Sequence, residues 1–311
     1  MASQQHLKGK VRAVTNIGKI TKAMEMVSAA KMRRSQESAF RARPYAKNML
    51  SLFTSLLTHL QREGDMISFQ APLSTGVVCL LVITSDKGLC GSYNSAVVRS
   101  ALAWKELKEA EGKRVDVITI GRKARDVFRK RGVPITKEFL RFSEVATIED
   151  ISPVANWILE ARRENLYEEV ACRSTTFVSA LERHVRGIQI LPFSKEVLLR
   201  VIESIIPKTG KYSLWKEEQE EGRETSSTLL EPSPEELIEK LSDMLIRSEI
   251  LHLVLESNAA EHSSRMVAMK NASDNAKNLM ETLTLQLNKA RQAGITQEVA
   301  EIAAGKEALG V

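Results

Sequence analysis

Aromatic side chains are scarce in this chain of 311 residues, at 5% of the total. Large globular cores draw much of their buried area from such rings, so long helical rods suit this composition better than one thick core. Cysteine is scarcer still. Cys79, Cys90 and Cys172 lie far apart, with no CxxC pair and no nearby histidine cluster. That pattern argues against a disulfide framework or a zinc site and fits a reducing compartment. No run of eighteen apolar residues occurs, and the first ten residues lack an apolar signal core. The expectation is a protein that is neither secreted nor membrane-spanning and carries no organelle transit segment, with any membrane contact made through other proteins.

Proline and glycine are missing where they matter most. Between Glu235 and Thr296 there is no proline and, until Gly294, no glycine. From His262 small or weakly apolar residues recur in steps of four and three: Met266, Met269, Ser273, Ala276, Met280, Leu283, Leu287, Ala290. This is a heptad seam. A similar stripe runs upstream through Leu237, Leu241, Met244, Ser248, Leu251 and Leu255. Seventy helical residues reach roughly 105 Å, whereas a compact body of about 130 residues has a radius of gyration near 14 Å. Most of such a helix needs a partner other than its own domain.

The other end of the chain offers one. Residues 7–42 are helix-like, with Val14, Ile17, Ile20 or Thr21, Met24, Val27 or Ser28 and Lys31 tracing a face, and the pattern resumes after Pro44. A kink or local unwinding is expected at Pro44. Residues 1–62 hold twelve Lys/Arg against two acids, net +10, while residues 235–305 hold seven against eleven, net −4. Opposite fields favour an antiparallel coiled coil of the two ends.

The middle reads as a small α/β domain of about five strands, Rossmann-like in layout. Strands are expected at 77–83, 115–120, 135–140, 169–177 and 185–191, the last two as an antiparallel pair. Helices follow the first two strands, and another spans 148–165 with Ser152-Pro153 as its cap and first turn. Residues 194–232 turn polar and acidic and read as a connecting loop. Ser233-Pro-Glu-Glu236 has the form of a capping box that starts the last helix. The expected domains are 1–62, 76–193, the loop 194–232, and 233–307, the first and last pairing as one rod.

Candidate chemistry is thin. Ser85-Asp-Lys-Gly-Leu-Cys-Gly91 follows a strand and precedes a helix, where α/β folds bind phosphates. It is neither GxxxxGK[ST] nor GxGxxG, so it reads as a structural turn. Cys90 finds no histidine partner for a nucleophilic role. Carboxylate pairs such as Glu235/Glu239 and Glu298/Glu301 read as solvated faces, and His262 as a packed seam residue. Met24, Met26, Met32, Met266, Met269 and Met280 put adaptable thioethers along the rod, which suits core filling and also contact with several partner geometries.

Four stretches carry a resemblance: Ile20-Thr-Lys-Ala-Met-Glu-Met-Val-Ser-Ala-Ala-Lys-Met-Arg-Arg34, Ser85–Gly91, Arg265-Met-Val-Ala-Met-Lys-Asn-Ala-Ser-Asp-Asn275, and Asn288-Lys-Ala-Arg-Gln-Ala-Gly-Ile-Thr-Gln-Glu-Val-Ala-Glu-Ile302. They resemble the gamma subunit of the F-type ATP synthase, in order and from end to end. The resemblance implies a non-catalytic rotor shaft, without cofactor or metal, inside an alpha–beta hexamer. Its foot would stand with the epsilon subunit on the membrane c-ring, at the cytoplasmic face of a bacterial plasma membrane. By position it implies hexamer contacts at Arg265, Arg291, Gln292, Thr296 and Glu301, with Lys22 and Met24 on the facing helix. Glu231-Pro232 would lie at the c-ring side.

Some residues depart from that family's pattern. Gly18-Lys19 places a helix-weakening glycine in the shaft, Ser92 stands where a second glycine is usual, and Gly294 is expected to interrupt the last helix. Two other classes are compatible with the residues alone. One is an RNA-binding protein with a basic coiled-coil arm; the other is a small α/β nucleotide-binding enzyme with a helical dimerisation arm.

Overall fold

A computed structural model describes residues 4–63, 74–140, 142–143, 145–192 and 234–308. The expected 194–232 loop, Glu231, Pro232 and the Ser233 cap lie outside these residues. In order the elements are α1 (Gln4–Glu63), β1 (Val77–Ile83), α2 (Tyr93–Ala110), β2 (Arg114–Ile120), α3 (Arg122–Lys130) and β3 (Lys137–Phe139). They continue with α4 (Ile148–Arg163), β4 (Glu169–Phe177), β5 (Arg183–Leu191) and α5 (Pro234–Ala308). The chain forms two compact units. One joins Met1–Ala29 with Arg265–Val311, and the other is Ala30–Ser264.

In the second unit the strands form one sheet in the order β3-β2-β1-β4-β5. β1 is parallel to β2 from Val77↔Arg114 to Ile83↔Ile120, and parallel to β4 from Val78↔Glu169 to Val82↔Arg173. β3 continues the parallel set, and β5 closes it antiparallel to β4. β1 is a continuous apolar run because helices cover both faces, as a parallel sheet requires. Cys79, Leu81 and Ile83 join Ile118, Cys172, the α4 residues Ile151 and Ile158, and the α5 residues Ile246, Ile250 and Leu253 on one side. Val78, Leu80 and Val82 join Val117, the α2 residues Val97, Ala101 and Trp104, and Phe128 of α3 on the other. Each fully buried aliphatic side chain contributes about 1.5–3 kcal/mol, so the paired cores hold the central strands firmly.

Several expectations change. α4 starts earlier than the Ser152-Pro153 pair: Thr147 is the N-cap, in a reciprocal capping box with Asp150. Pro153 lies inside the helix, close enough to its start to forfeit one backbone hydrogen bond without ending it. The third strand is only Lys137–Phe139. α1 is unbroken across Pro44, so the chain does not unwind there, and α5 continues through Gly294 to Ala308. Ser92 adopts φ −83°, which any residue tolerates, so the turn there needs no second glycine.

Candidate functional site

In the first unit the two chain ends pair as an antiparallel coil. On α1, Leu7, Thr21 and Ser28 are buried, with Val11, Val14, Gly18 and Glu25 half-buried between them. On α5, Met269, Ala276 and Leu283 are buried, and Ser273, Met280, Leu287 and Ala290 are half-buried. Both sets advance in steps of four and three, which is the heptad seam of a coiled coil. The α5 seam is the one its sequence announces.

The α1 seam is not. Ile17, Ile20 and Val27 are more than half exposed, while Thr21 and Ser28 take the buried positions. Burial of the hydroxyls is tolerated because each is satisfied by its own helix. Thr21 Oγ1 donates to the carbonyls of Ile17 and Gly18 at 3.0 and 3.1 Å, and Ser28 Oγ to that of Met24 at 2.7 Å. Small residues inside let the helices approach closely, and Gly18 sits against Ala276. The larger aliphatic residues face outward.

α5 shows the same outward display farther on. Ile295, Val299 and Ile302 are spaced four and three apart, one helical face, and all are more than half exposed. With Gly18 beside Ala276, the antiparallel register brings the start of α1 level with about residue 290 of α5. The face at 295–302 therefore lies past the end of its partner helix.

The expected contact residues are spread along this unit. Lys22 is exposed and pairs with Glu25 at 3.0 Å, and Met24 is half-buried. Arg291, Gln292, Thr296 and Glu301 are all exposed. Thr296 Oγ1 donates to the Gln292 carbonyl at 2.9 Å, and Gln297 Nε2 to Glu301 Oε1 at 2.9 Å. Arg265 differs from these, being only 7% exposed. The 36 positions from Arg265 to Glu301 span about 54 Å of helix, so the set is spread along the helix, one member buried, rather than gathered in one pocket. The sequence pattern sets Ile17, Ile20 and Val27 on the seam face and does not single out the 295–302 face; for the three on α1, the phase through Thr21 and Ser28 is the signal for their exposure.

In the second unit the turn after β1 is where the alternative chemistry would reside. Strand order reverses there, with β2 to one side of β1 and β4 to the other, and α/β folds place ligands outside the carboxyl ends of such strands. Here the space is filled. Cys90, Tyr93 and Phe177 pack on Ala260 of α5. Tyr93 Oη and Ser257 Oγ are 2.7 Å apart, Ser264 Oγ donates to the Cys90 carbonyl at 2.6 Å, and Ser263 Oγ to that of Ala180 at 2.6 Å.

The N-terminus of α3, a natural anion site, is used as well. Its first amides are taken by the same turn: Arg122 N–H by Asp86 Oδ1 at 2.9 Å, Lys123 N–H by the Ser85 carbonyl at 3.1 Å, and Ala124 N–H by Thr84 Oγ1 at 2.9 Å. Gly121, the N-cap, has φ +91°, and a Cβ there would meet the Thr84 carbonyl oxygen at 2.1 Å. Inside the turn, Asn94 Oδ1 accepts from the Ser85 amide at 3.0 Å, and Asn94 Nδ2 donates to Ser85 Oγ at 2.8 Å. The Ser85–Gly91 stretch is a structural turn whose polar groups serve the fold.

Known proteins share this plan. A family model described as ATP synthase matches residues 3–309. An ATP synthase gamma chain from Chloroflexus aurantiacus is 36% identical, over 99% of each chain. One from Thermosynechococcus vestitus is 33% identical, over 99% of this chain and all of the other. Among solved structures, a central stalk/c-ring structure of the Tetrahymena thermophila mitochondrial ATP synthase has a matching chain at TM-score 0.56 and 25% identity, covering 82% of this chain and 99% of that one. A chain in an OSCP/F1/c-ring structure of the Euglena gracilis mitochondrial ATP synthase matches at TM-score 0.63 and 18% identity, covering 98% and 94%; at that identity it speaks for the fold alone. The end-to-end match to relatives above 30% identity places this chain in the family of ATP synthase gamma chains.

Proposed function

We propose that this chain is the central-stalk rotor subunit of an F-type ATP synthase, carrying torque between a membrane c-ring and an alpha–beta catalytic hexamer. The carrying observation is the antiparallel pair of terminal helices, with Thr21, Ser28 and Ala276 in its seam and Ile17, Ile20 and Val27 exposed, in a chain that aligns with gamma chains throughout. Such a rod works by shape. An asymmetric shaft cannot offer equal contacts to three equivalent neighbours, and the differential contact energy biases their states. ATP chemistry would belong to the surrounding subunits, which agrees with a Ser85–Gly91 turn consumed by structural hydrogen bonds.

In this reading residues 1–62 and 233–307 act as one rod and 76–193 as the foot, with the epsilon subunit and the c-ring at its base. Lys22, Met24, Arg265, Arg291, Gln292, Thr296 and Glu301 face the hexamer, and Glu231 and Pro232 the c-ring side. No described helix is long and apolar enough to cross a membrane. Attachment to the cytoplasmic face of the plasma membrane would then run through the partners.

Charge reversal tests the reading. Arg291→Glu or Glu301→Lys is expected to lower proton-driven ATP synthesis by the assembled enzyme while leaving the melting temperature of this chain nearly unchanged, because both side chains are exposed. Equal losses in both measurements would count against the proposal.

A further inference from the structure

The rotor reading uses no titratable group inside the second unit, yet the sheet-facing stretch of α5 buries three. Glu249, His252 and Glu256 are 6, 4 and 7% exposed. Their spacings of three and four residues set them on successive turns along one side of the helix. His252 Nε2 lies 3.3 Å from Glu256 Oε1, an ion pair when the ring carries its proton. Glu249 is in a different position. Among the described residues, both of its carboxyl oxygens are buried without a hydrogen-bond partner. An ionised carboxylate in such a place is strongly disfavoured, whereas the neutral acid is tolerated.

Among the described residues, an apolar cluster packs around this stretch. α4 contributes Ile151, Ala155 and Ile158, α1 contributes Ala39, and β1 contributes Cys79, Leu81 and Ile83. β4 contributes the Cys172 thiol, which burial pushes up to about 12, with the charge of Glu249 adding to the rise. It therefore stays neutral. The groups coupled to Glu249 on its own helix are His252, which lowers its pKa, and Glu256, which raises it. Burial outweighs both and lifts the Glu249 carboxyl to about 7.

We infer that Glu249 is a buried proton-binding site: protonated, it lets the 246–256 stretch of α5 seat against the sheet, and deprotonated, it loosens that stretch. With the proton in place, Glu249 adds no charge beside His252 and Glu256. Release of the proton to solvent adds one negative charge beside the aliphatic side chains. The folded value lies above the ordinary 4.5. The stabilisation is thus complete below about 4.5 and is lost as pH rises through about 7. This is a property of the chain itself and does not depend on its being a rotor.

Hydrogen–deuterium exchange on the full-length chain between pH 5 and 9, corrected for intrinsic base catalysis, tests it. Protection of 246–256 is expected to fall by about 80-fold across that range, the part above pH 5 of the roughly 300-fold span set by the difference between the two values. Peptides from α2 should keep theirs, and Glu249→Gln should remove the pH dependence from 246–256. Equal protection of 246–256 at both ends of the range in the unaltered chain would overturn the proposal. So would a Glu249→Gln chain that loses protection as the unaltered one does. If that variant fails to fold, the exchange of the unaltered chain decides alone.

Discussion

Gly18 on α1 lies directly against Ala276 on α5: a Cβ built on the glycine meets the alanine Cβ at 3.6 Å, ordinary van der Waals contact. The glycine is therefore not required by space. Its place in a helix costs about 1 kcal/mol relative to alanine.

Gly18→Ala is expected to stabilise the full-length chain by about 0.5–1 kcal/mol, seen as a higher melting temperature. Gly18→Leu should do the reverse, since a long side chain must push the helices apart. Calorimetry on both variants checks the pair of signs.

Gly121 and Gly76 make a second contrast. Both have positive φ, +91° and +67°, but only Gly121 has backbone at its Cβ position, the Thr84 carbonyl oxygen at 2.1 Å. Gly76→Ala should cost about 1–2 kcal/mol from backbone strain. Gly121→Ala should cost at least about 3 kcal/mol, because β1, β2 and the α3 amides all meet there. Urea titrations giving equal losses would show that the β1 turn is looser than described.

Asp243 ties α5 to α4. Its carboxylate takes Arg163 Nη2 at 2.7 Å and Arg162 Nη1 at 3.4 Å. Burial lowers the pKa of the Arg162 guanidinium, and Asp243 opposes that shift. Asp243→Ala is expected to destabilise by about 1–3 kcal/mol, because it removes the carboxylate that both arginines share at the α4–α5 contact. Arg163→Ala removes an exposed arm and should cost less than about 1 kcal/mol. Chemical denaturation of the two variants separates them.

The sheet was largely legible beforehand. β1 and β4 match their expected limits residue for residue, because the apolar run of β1 and the Val170 to Phe177 stretch rich in β-branched residues are each set off by polar and turn residues. The α5 seam was equally plain, since no proline or glycine disturbed its period before Gly294. The α1 face was harder. Ile17, Ile20 and Val27 look like core to any hydrophobicity pattern, but the packing takes Thr21 and Ser28, whose hydroxyls can be absorbed by the preceding turn. Which of the alternatives at 20/21 and 27/28 turns toward the partner helix is set by packing, which the hydrophobicity of one sequence does not display.

The buried acids show the same limit. Nothing in the sequence marks Glu249 and Glu256 off from the solvated carboxylates of the same helix, yet both are buried. Thr147 was passed over for the more familiar Ser-Pro start at 152–153, although Asp150 three residues later completes its capping box. The interior position of Pro153 drew the eye from a better cap.

The most direct measurement is the composition of the native complex that holds this chain, by affinity isolation at mild salt followed by native mass spectrometry. A rotor predicts alpha and beta ATPase subunits with this chain in a three-to-three-to-one assembly that hydrolyses ATP. Recovery of the chain alone, or with RNA, or as a homodimer joined through its helices, would contradict it.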